Sequence, residues 1–188
     1  MESLVLASAS PRRRELLERI GIPFEVDAPE VDERISLPAE QAVAELSRRK
    51  ALASRVVHPG RFILAADTLV TLDGESLGKP KDAEEARNML RRLSGRTHEV
   101  CTGVTVITPE GRIFTAADVS HVSFVPLSEA EIEAYVLSGE PMDKAGAYAI
   151  QGAAAQWIRK MEGSPSGVIG LPLCEVRALL KEAGYYDK

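Results

Sequence analysis

Apolar runs of strand length alternate with amphipathic stretches of helix length through the first half of the chain. This alternation is typical of a sheet that is covered by helices. In order, the pattern predicts a strand at Leu4–Ala7, a helix from Pro11 that Gly21 stops, a short strand at 24–26 and a helix over about 38–57. A buried strand at 61–67 follows, which continues as a hairpin through Asp73 and Gly74, and then a helix from Asp82 to Gly95.

The second half begins with hairpin strands and ends with a helix. The pattern predicts strands at 99–108 and 113–125, a helix that a capping box of Ser128 and Glu131 begins and Gly139 ends, a strand-like segment with glycine interruptions at 145–163, and a last helix over about 172–183.

Helices interleaved with antiparallel hairpins predict an α/β fold with a mixed sheet and helices on its faces. Glycine and proline joints near 78–80 and 139–141 mark connections between two lobes. We therefore expect residues 1–188 to form a single domain whose two lobes surround one cleft.

Composition narrows the class of protein. The 188 residues are 45% hydrophobic, and the net charge of −5 argues against a nucleic-acid-binding protein. No apolar stretch approaches the length of a membrane span, and the first residues do not resemble a signal peptide. Cys101 and Cys174 are far apart and lack metal-ligand spacing, so we expect a cytoplasmic protein with reduced thiols.

An arginine run follows the first strand, in the segment SASPRRR. Ser10 suits the N-cap, so Arg12–Arg14 lie at the positive end of the helix dipole, where each charge costs about 0.3–1 kcal/mol. A bound anion would explain this arrangement, since the free N–H groups, the hydroxyls of Ser8 and Ser10 and the arginines together make a phosphate cradle.

The alternative for this segment is purely structural. Arg14 can pair with Glu18 four residues on, while Arg12 and Arg13 point into water. Ser10 then serves as a helix cap only.

Asp67 is the strongest acidic candidate, because it ends the apolar strand 62–66, and ligand sites in α/β folds form at strand ends. The alternative is an aspartate that bonds to the following turn. A nearby loop carries Glu30, Asp32 and Glu33, which are either solvated or oxygen ligands for Mg²⁺. Zinc is disfavoured, because the histidines are isolated.

Two lysines and a glutamine suit a ligand that carries phosphates and a base. Lys50 shares the core-facing helical stripe of Val43, Leu46 and Val57, so it either snorkels or points toward a polyphosphate. Lys79 sits in a constrained turn, although turn lysines are usually exposed. The amide of Gln151 can both donate and accept toward a base edge.

Six ordered motifs resemble the Maf family of nucleoside triphosphate pyrophosphatases, over nearly the whole chain: SASPRRREL, AADT, GKPKD, LSGRTHEV, GEPMDKAGAYAIQG and VIGLPL. The resemblance implies an elongated mixed sheet and a two-lobed cleft, similar to inosine-triphosphate pyrophosphatases (Maf/Ham1-like). It implies metal-dependent hydrolysis, with Mg²⁺ or Mn²⁺, of a triphosphate to monophosphate and pyrophosphate. Family members are also known as septum-formation inhibitors, and dimers occur among them, so a homodimer is possible.

The resemblance also implies roles for individual residues. Asp67 would accept the proton and bind metal with Glu33, while Ser8, Ser10, Arg13, Lys50 and Lys79 would bind phosphate or substrate. Arg12, Thr68 and Gln151 would set specificity, and this combination resembles the branch that acts on dTTP and UTP, including modified pyrimidine triphosphates. Gly167 departs from the family, in which asparagine is common at that position.

The expected reaction is attack of water on the α-phosphorus, with metal and cations stabilising the leaving pyrophosphate. A rival function is a nucleotide-binding regulator of septum formation, which acts by binding a partner without turnover. The rival would use the same phosphate cradle but would not need Asp67 or a metal loop.

Overall fold

One mixed sheet forms the centre of the protein. The computed structural model describes residues 2–187, and within that range seven strands pair in the order β2-β1-β3-β5-β6-β7, with β4 on β3. The strands are β1 (Leu4–Ala7), β2 (Phe24–Asp27), β3 (Ile63–Leu72), β4 (Glu75–Leu77), β5 (Thr97–Ile107), β6 (Ile113–Phe124) and β7 (Ile158–Glu162). Strand β1 pairs in parallel with both β2 and β3, and the other pairs are antiparallel. The predicted α/β fold with a mixed sheet is confirmed.

Helices connect and cover these strands, and several begin where the sequence predicts. They are α1 (Pro11–Arg19), α2 (Ala39–Val57), α3 (Ala83–Leu93), α4 (Glu129–Leu137), α5 (Pro165–Ile169) and α6 (Leu173–Glu182). Asp82 accepts a hydrogen bond from the Glu85 amide, and Ser128 and Glu131 form the predicted capping box. In the described part of the chain, no helix is both long and apolar enough to cross a membrane.

Two large hydrophobic cores lie along the same long strands, and a smaller third one packs Ala51 of α2 against Ile63 and Ile107. One large core packs β1, α1 and α6 against Leu64 and Val104. The other large core packs α3, α4 and the chain around Trp157 against Val70 and Val100. Strands β3 and β5 therefore run through both large cores, and the middle of β3 lies between them.

The middle of β3 also has an open edge. Pairing with β1 stops at Ala65, and pairing with β4 begins only at Val70. Among residues 2–187, no strand therefore covers this edge of β3 from Ala66 to Leu69, while β5 pairs along the other edge. Asp67 and Thr68, two polar residues of this central strand, lie at the gap.

The strand-like prediction for 145–163 is wrong over most of its length. Only β7 forms a strand, and the segment before it forms 3-10 turns at Ala145–Ala147 and Ala153–Trp157. Gly146 and Ala147 have φ of 71° and 61°, a left-handed conformation that a strand cannot contain. A further turn at Glu140–Asp143 precedes them, and α5 was not predicted at all.

Candidate active site

A cleft of about 1240 Å³ opens at the uncovered edge of β3. Its walls come from the N-terminus of α1, the loop between β2 and α2, helix α2 and the 3-10 segment before β7. All ten candidate residues line it: Ser8, Ser10, Arg12, Arg13, Glu33, Lys50, Asp67, Thr68, Lys79 and Gln151. The structure thus brings together residues that are up to 143 positions apart in the sequence (151 − 8).

Asp67 lies on the floor of the cleft, in the interior of β3. The prediction that it ends a strand is wrong, because β3 continues to Leu72 and Asp67 pairs with Gly103 of β5. What ends near this position is the neighbouring β1, whose last residue pairs with Ala65. The Asp67 carboxylate is therefore nearly buried and still borders the cleft.

Lys50 holds two carboxylates in the cleft. Its Nζ donates to Asp67 Oδ1 at 2.5 Å and lies 2.8 Å from Glu33 Oε1. The inward direction predicted from helical phase is confirmed for Lys50, although Val57 of the same stripe is 68% exposed. The hydrogen bond from Lys50 lowers the pKa of Glu33, which keeps this carboxylate charged.

Arg13 is bonded to three separate parts of the chain. Its Nε donates to the Gly170 carbonyl at 2.7 Å, Nη1 to Ser8 Oγ at 3.0 Å and Nη2 to Thr68 Oγ1 at 3.2 Å. Burial lowers the pKa of Arg13 to about 10, so it remains a cation at neutral pH. A guanidinium has five N–H groups, so two remain for a ligand.

The hydroxyls of Ser8 and Thr68 differ in whether they can still donate a hydrogen bond to a ligand. Ser8 Oγ accepts from Arg13 and from the Ser10 amide, which leaves its own O–H free to donate. Thr68 Oγ1 lies 3.0 Å from Thr102 Oγ1, and Thr102 donates to the Gly167 carbonyl. The Thr68 proton is thereby used on Thr102, so Thr68 mainly orients Arg13.

Four candidates line the cleft without internal hydrogen bonds from their side chains. Within residues 2–187, this holds for Ser10, Arg12, Lys79 and Gln151. Ser10 occupies the predicted N-cap position, but its side chain does not cap the helix. The first N–H groups of α1 and these side chains are therefore available to an anionic ligand.

The structural alternative for the arginine run is wrong at most of its points, because Arg13 makes three internal hydrogen bonds and the Ser10 side chain does not cap the helix. In the described chain, α1 has an ion pair between Arg19 and Glu15 and none between Arg14 and Glu18. The Arg14 Nε is instead buried without a hydrogen-bond partner. Arg14 thus belongs to the body of the protein rather than to the cleft.

Sequence reasoning missed two groups of residues that hold the site. Thr102 and Gly170 support Thr68 and Arg13. Thr102 pairs with Thr68 in the register of β3 and β5, and Gly170 ends α5, so both contacts depend on the fold rather than on a local sequence signal. Arg49 binds the loop that carries Glu33 and was not singled out, although its spacing from Glu45 is that of a helical ion pair.

The fold and the cleft define an α/β protein that presents cations and backbone N–H groups to an anionic ligand. Residues 3–183 match the family model described as Maf-like protein, and the chain belongs to this family.

Relatives match along nearly their whole length. The chain is 50% identical to a dTTP/UTP pyrophosphatase of Symbiobacterium thermophilum, with 98% of this chain and 96% of the relative covered. It is 52% identical to a dTTP/UTP pyrophosphatase of Myxococcus xanthus, with 96% and 92% covered. The solved Staphylococcus aureus Ham1 protein shares the fold, with a TM-score of 0.51, 15% identity, and 83% of this chain and 91% of that chain covered.

Proposed function

We propose that the protein hydrolyses dTTP and UTP to the nucleoside monophosphate and pyrophosphate, which would remove these and modified pyrimidine triphosphates from the nucleotide pool. Full-length relatives with this name support the substrate class. The observation that carries the proposal is the nearly buried Asp67 carboxylate, which Lys50 holds on the floor of a cleft bordered by cations. The cytoplasmic location and a homodimer stay predictions.

In this proposal, Asp67 is the proton acceptor. Lys50 binds Oδ1, and within residues 2–187 the other carboxylate oxygen makes no hydrogen bond. That oxygen takes a proton from a water molecule whose oxygen bonds to the α-phosphorus. The bond from the α-phosphorus to the bridging oxygen breaks, and pyrophosphate leaves with that electron pair.

Arg13 and the N-terminus of α1 bind the polyphosphate. Arg13 has two free N–H groups, Ser8 has a free O–H, and the first amides of α1 point along a helix dipole that favours anions. Lys79, Ser10 and Arg12 add donors at the cleft wall. These groups stabilise charge that develops on the phosphate oxygens.

The carboxylates in the cleft fit a hard divalent cation such as Mg²⁺ or Mn²⁺. Glu33 and Asp67 both approach the Lys50 ammonium, so their oxygens lie close together. Among the described residues, no cluster of three or more histidine, cysteine or acidic ligands exists. Mg²⁺ typically uses one or two carboxylates plus substrate phosphates, which matches this pair. When bound, such a cation would neutralise part of the negative charge on the phosphates.

Gln151, Thr68 and Arg12 select the base. The Gln151 amide can donate and accept toward the polar edge of a pyrimidine, and its side chain is not bonded within the described chain. Thr68 acts through Arg13, since both of its described hydroxyl contacts are internal. A substituted Gln151 is therefore expected to change base preference more than phosphate affinity.

A panel of nucleoside triphosphates, each with Mg²⁺ or Mn²⁺, tests the proposal by phosphorus NMR. We expect pyrophosphate from dTTP and UTP, and its loss in Asp67→Asn but not in Asp73→Asn, which changes an exposed aspartate paired with Arg96. Orthophosphate as the first product would indicate a phosphatase instead. Tight dTTP binding without any product would favour a nucleotide-binding regulator.

A further inference from the structure

We propose that Arg49 is a positioning residue, which fixes the loop backbone on both sides of Glu33 and so keeps that carboxylate at the cleft. This inference rests on the role proposed above for Glu33. The acidic loop is defined here as residues 28–37, between β2 and α2.

Arg49 clamps the two carbonyls that flank Glu33. Its Nη1 donates to the Asp32 carbonyl at 2.9 Å and to the Arg34 carbonyl at 3.2 Å. The guanidinium is itself held from α2, because Nε donates to Glu45 Oε1 at 3.0 Å one turn earlier. One side chain thus ties three consecutive loop residues to a rigid helix.

Few other contacts hold the acidic loop in place near Glu33. It contains no helix or strand, and the Glu33 side chain is 63% exposed. The ion pair between Arg34 and Asp32 lies within the loop and does not connect it to α2. Among the described residues, the ion pair with the Glu33 carboxylate is the one polar contact between Lys50 and the loop.

A ligand in the cleft can replace the ion pair between Glu33 and Lys50, but it does not compete for the hydrogen bonds from Arg49 to the loop backbone. A cation or phosphate in the cleft would compete for Glu33 or for the Lys50 ammonium, since both carry full charges. The bonds of Arg49 go to backbone carbonyls and leave the Glu33 carboxylate free. Arg49 therefore holds Glu33 in place when its side chain turns from Lys50 to a ligand.

Arg49→Ala tests this inference, with Arg48→Ala as the matched control. Arg48 is the adjacent residue on the same helix, carries the same charge and lies 4.0 Å from Glu45, without a described bond to the acidic loop. We expect Arg49→Ala alone to speed hydrogen exchange of the loop amides. It should also raise the half-saturating Mg²⁺ concentration for dTTP hydrolysis about 10-fold, with kcat at saturating Mg²⁺ nearly unchanged.

Glu33→Gln separates this inference from the proposed function. If Glu33→Gln raises the Mg²⁺ requirement and Arg49→Ala adds little to it in the double variant, the two residues act together as proposed. If Glu33→Gln raises the requirement but Arg49→Ala behaves like Arg48→Ala in both measurements, the inference is wrong and the proposed function stands. If Glu33→Gln leaves the Mg²⁺ requirement unchanged, the role of Glu33 fails, and this inference fails with it.

Discussion

Lys50 Nζ lies 2.5 Å from Asp67 Oδ1, and this nearly buried ion pair joins helix α2 to the centre of the sheet. Helix α2 also approaches β5 closely at Gly103, the residue that pairs with Asp67 in register. Removing the Lys50 charge would leave the Asp67 carboxylate without its partner in a poorly solvated place, whereas Lys50 without Asp67 would keep its ion pair with Glu33.

Lys50→Met should therefore affect both stability and activity. It leaves the Asp67 carboxylate unpaired, so we expect a loss of about 3 kcal/mol in the free energy of unfolding. Turnover should fall at least about 100-fold, because a cation on the reacting groups is lost. The double variant with Asp67→Asn should recover part of the stability and none of the activity in urea unfolding and dTTP assays. A fully stable and active Lys50→Met would contradict the account.

Gly103→Ala should destabilise the protein strongly. A Cβ there would lie 2.2 Å from the Val43 carbonyl of α2, and backbone atoms cannot move without moving the helix. We expect a loss of about 3 kcal/mol by urea unfolding. Gly78→Ala is the control, since a Cβ at Gly78 meets nothing within 4 Å, and it should cost about 0.5 kcal/mol or less. Equal losses in the two variants would show that the close approach of α2 does not limit stability.

Because His98 is buried, the free energy of unfolding should decrease as the pH is lowered. Burial lowers the pKa of His98 from 6.5 to about 4, and its Nε2 lies 2.6 Å from the Tyr148 hydroxyl. Below pH 6.5 the unfolded chain gains a proton that the folded chain rejects, so stability is lost as pH falls from 6.5 toward 4. Between pH 7.5 and 5, this contribution is about 2 kcal/mol.

His98→Gln isolates that contribution, because the amide can still bond to Tyr148 and does not titrate. The free energy of unfolding, measured with urea at both pH values, should fall less in His98→Gln than in the unsubstituted protein. Equal losses would mean that His98 takes up its proton in the folded state as easily as in the unfolded chain.

Gly167 leaves little room for a side chain beside Asp118. A Cβ at Gly167 would lie 2.7 Å from Asp118 Oδ2, which also accepts a bond from Ser120. The added Cβ would also lie 3.0 Å from Ser164 Cβ, so the end of the Asp118 side chain must move and Ser164 must shift slightly, and Gly167→Ala should cost about 1 kcal/mol. A double-mutant cycle with Asp118→Ala should show a coupling of at least about 0.5 kcal/mol, and additive effects would contradict this contact.

Local signals predicted much of the fold. The side chains of Asp82 and Ser128 do begin helices, and the hairpin of β5 and β6 follows the apolar pattern. Helical phase predicted the inward Lys50, whereas Val57 of the same stripe is 68% exposed near the C-terminal end of α2.

Features set by distant parts of the chain could not be predicted. The hairpin that continues β3 through Asp73 and Gly74 is predicted, but the uncovered edge beside Asp67 is not, because it arises from the short length of β1, which has only four residues. The left-handed conformation of Ala147 is imposed by packing and has no local signal. Arg49 finds its acceptors 15 and 17 residues away in a loop without regular structure, so its sequence spacing predicts only the ion pair with Glu45.

Hydrolysis of dTTP in ¹⁸O-labelled water, with Mg²⁺ and phosphorus NMR detection, tests the central claim most directly. Attack at the α-phosphorus with Asp67 as proton acceptor predicts that ¹⁸O enters dTMP and that pyrophosphate is released unlabelled. Asp67→Asn should abolish both signals, and Asp73→Asn should leave both unchanged. Label in pyrophosphate or release of orthophosphate as the first product would contradict the account.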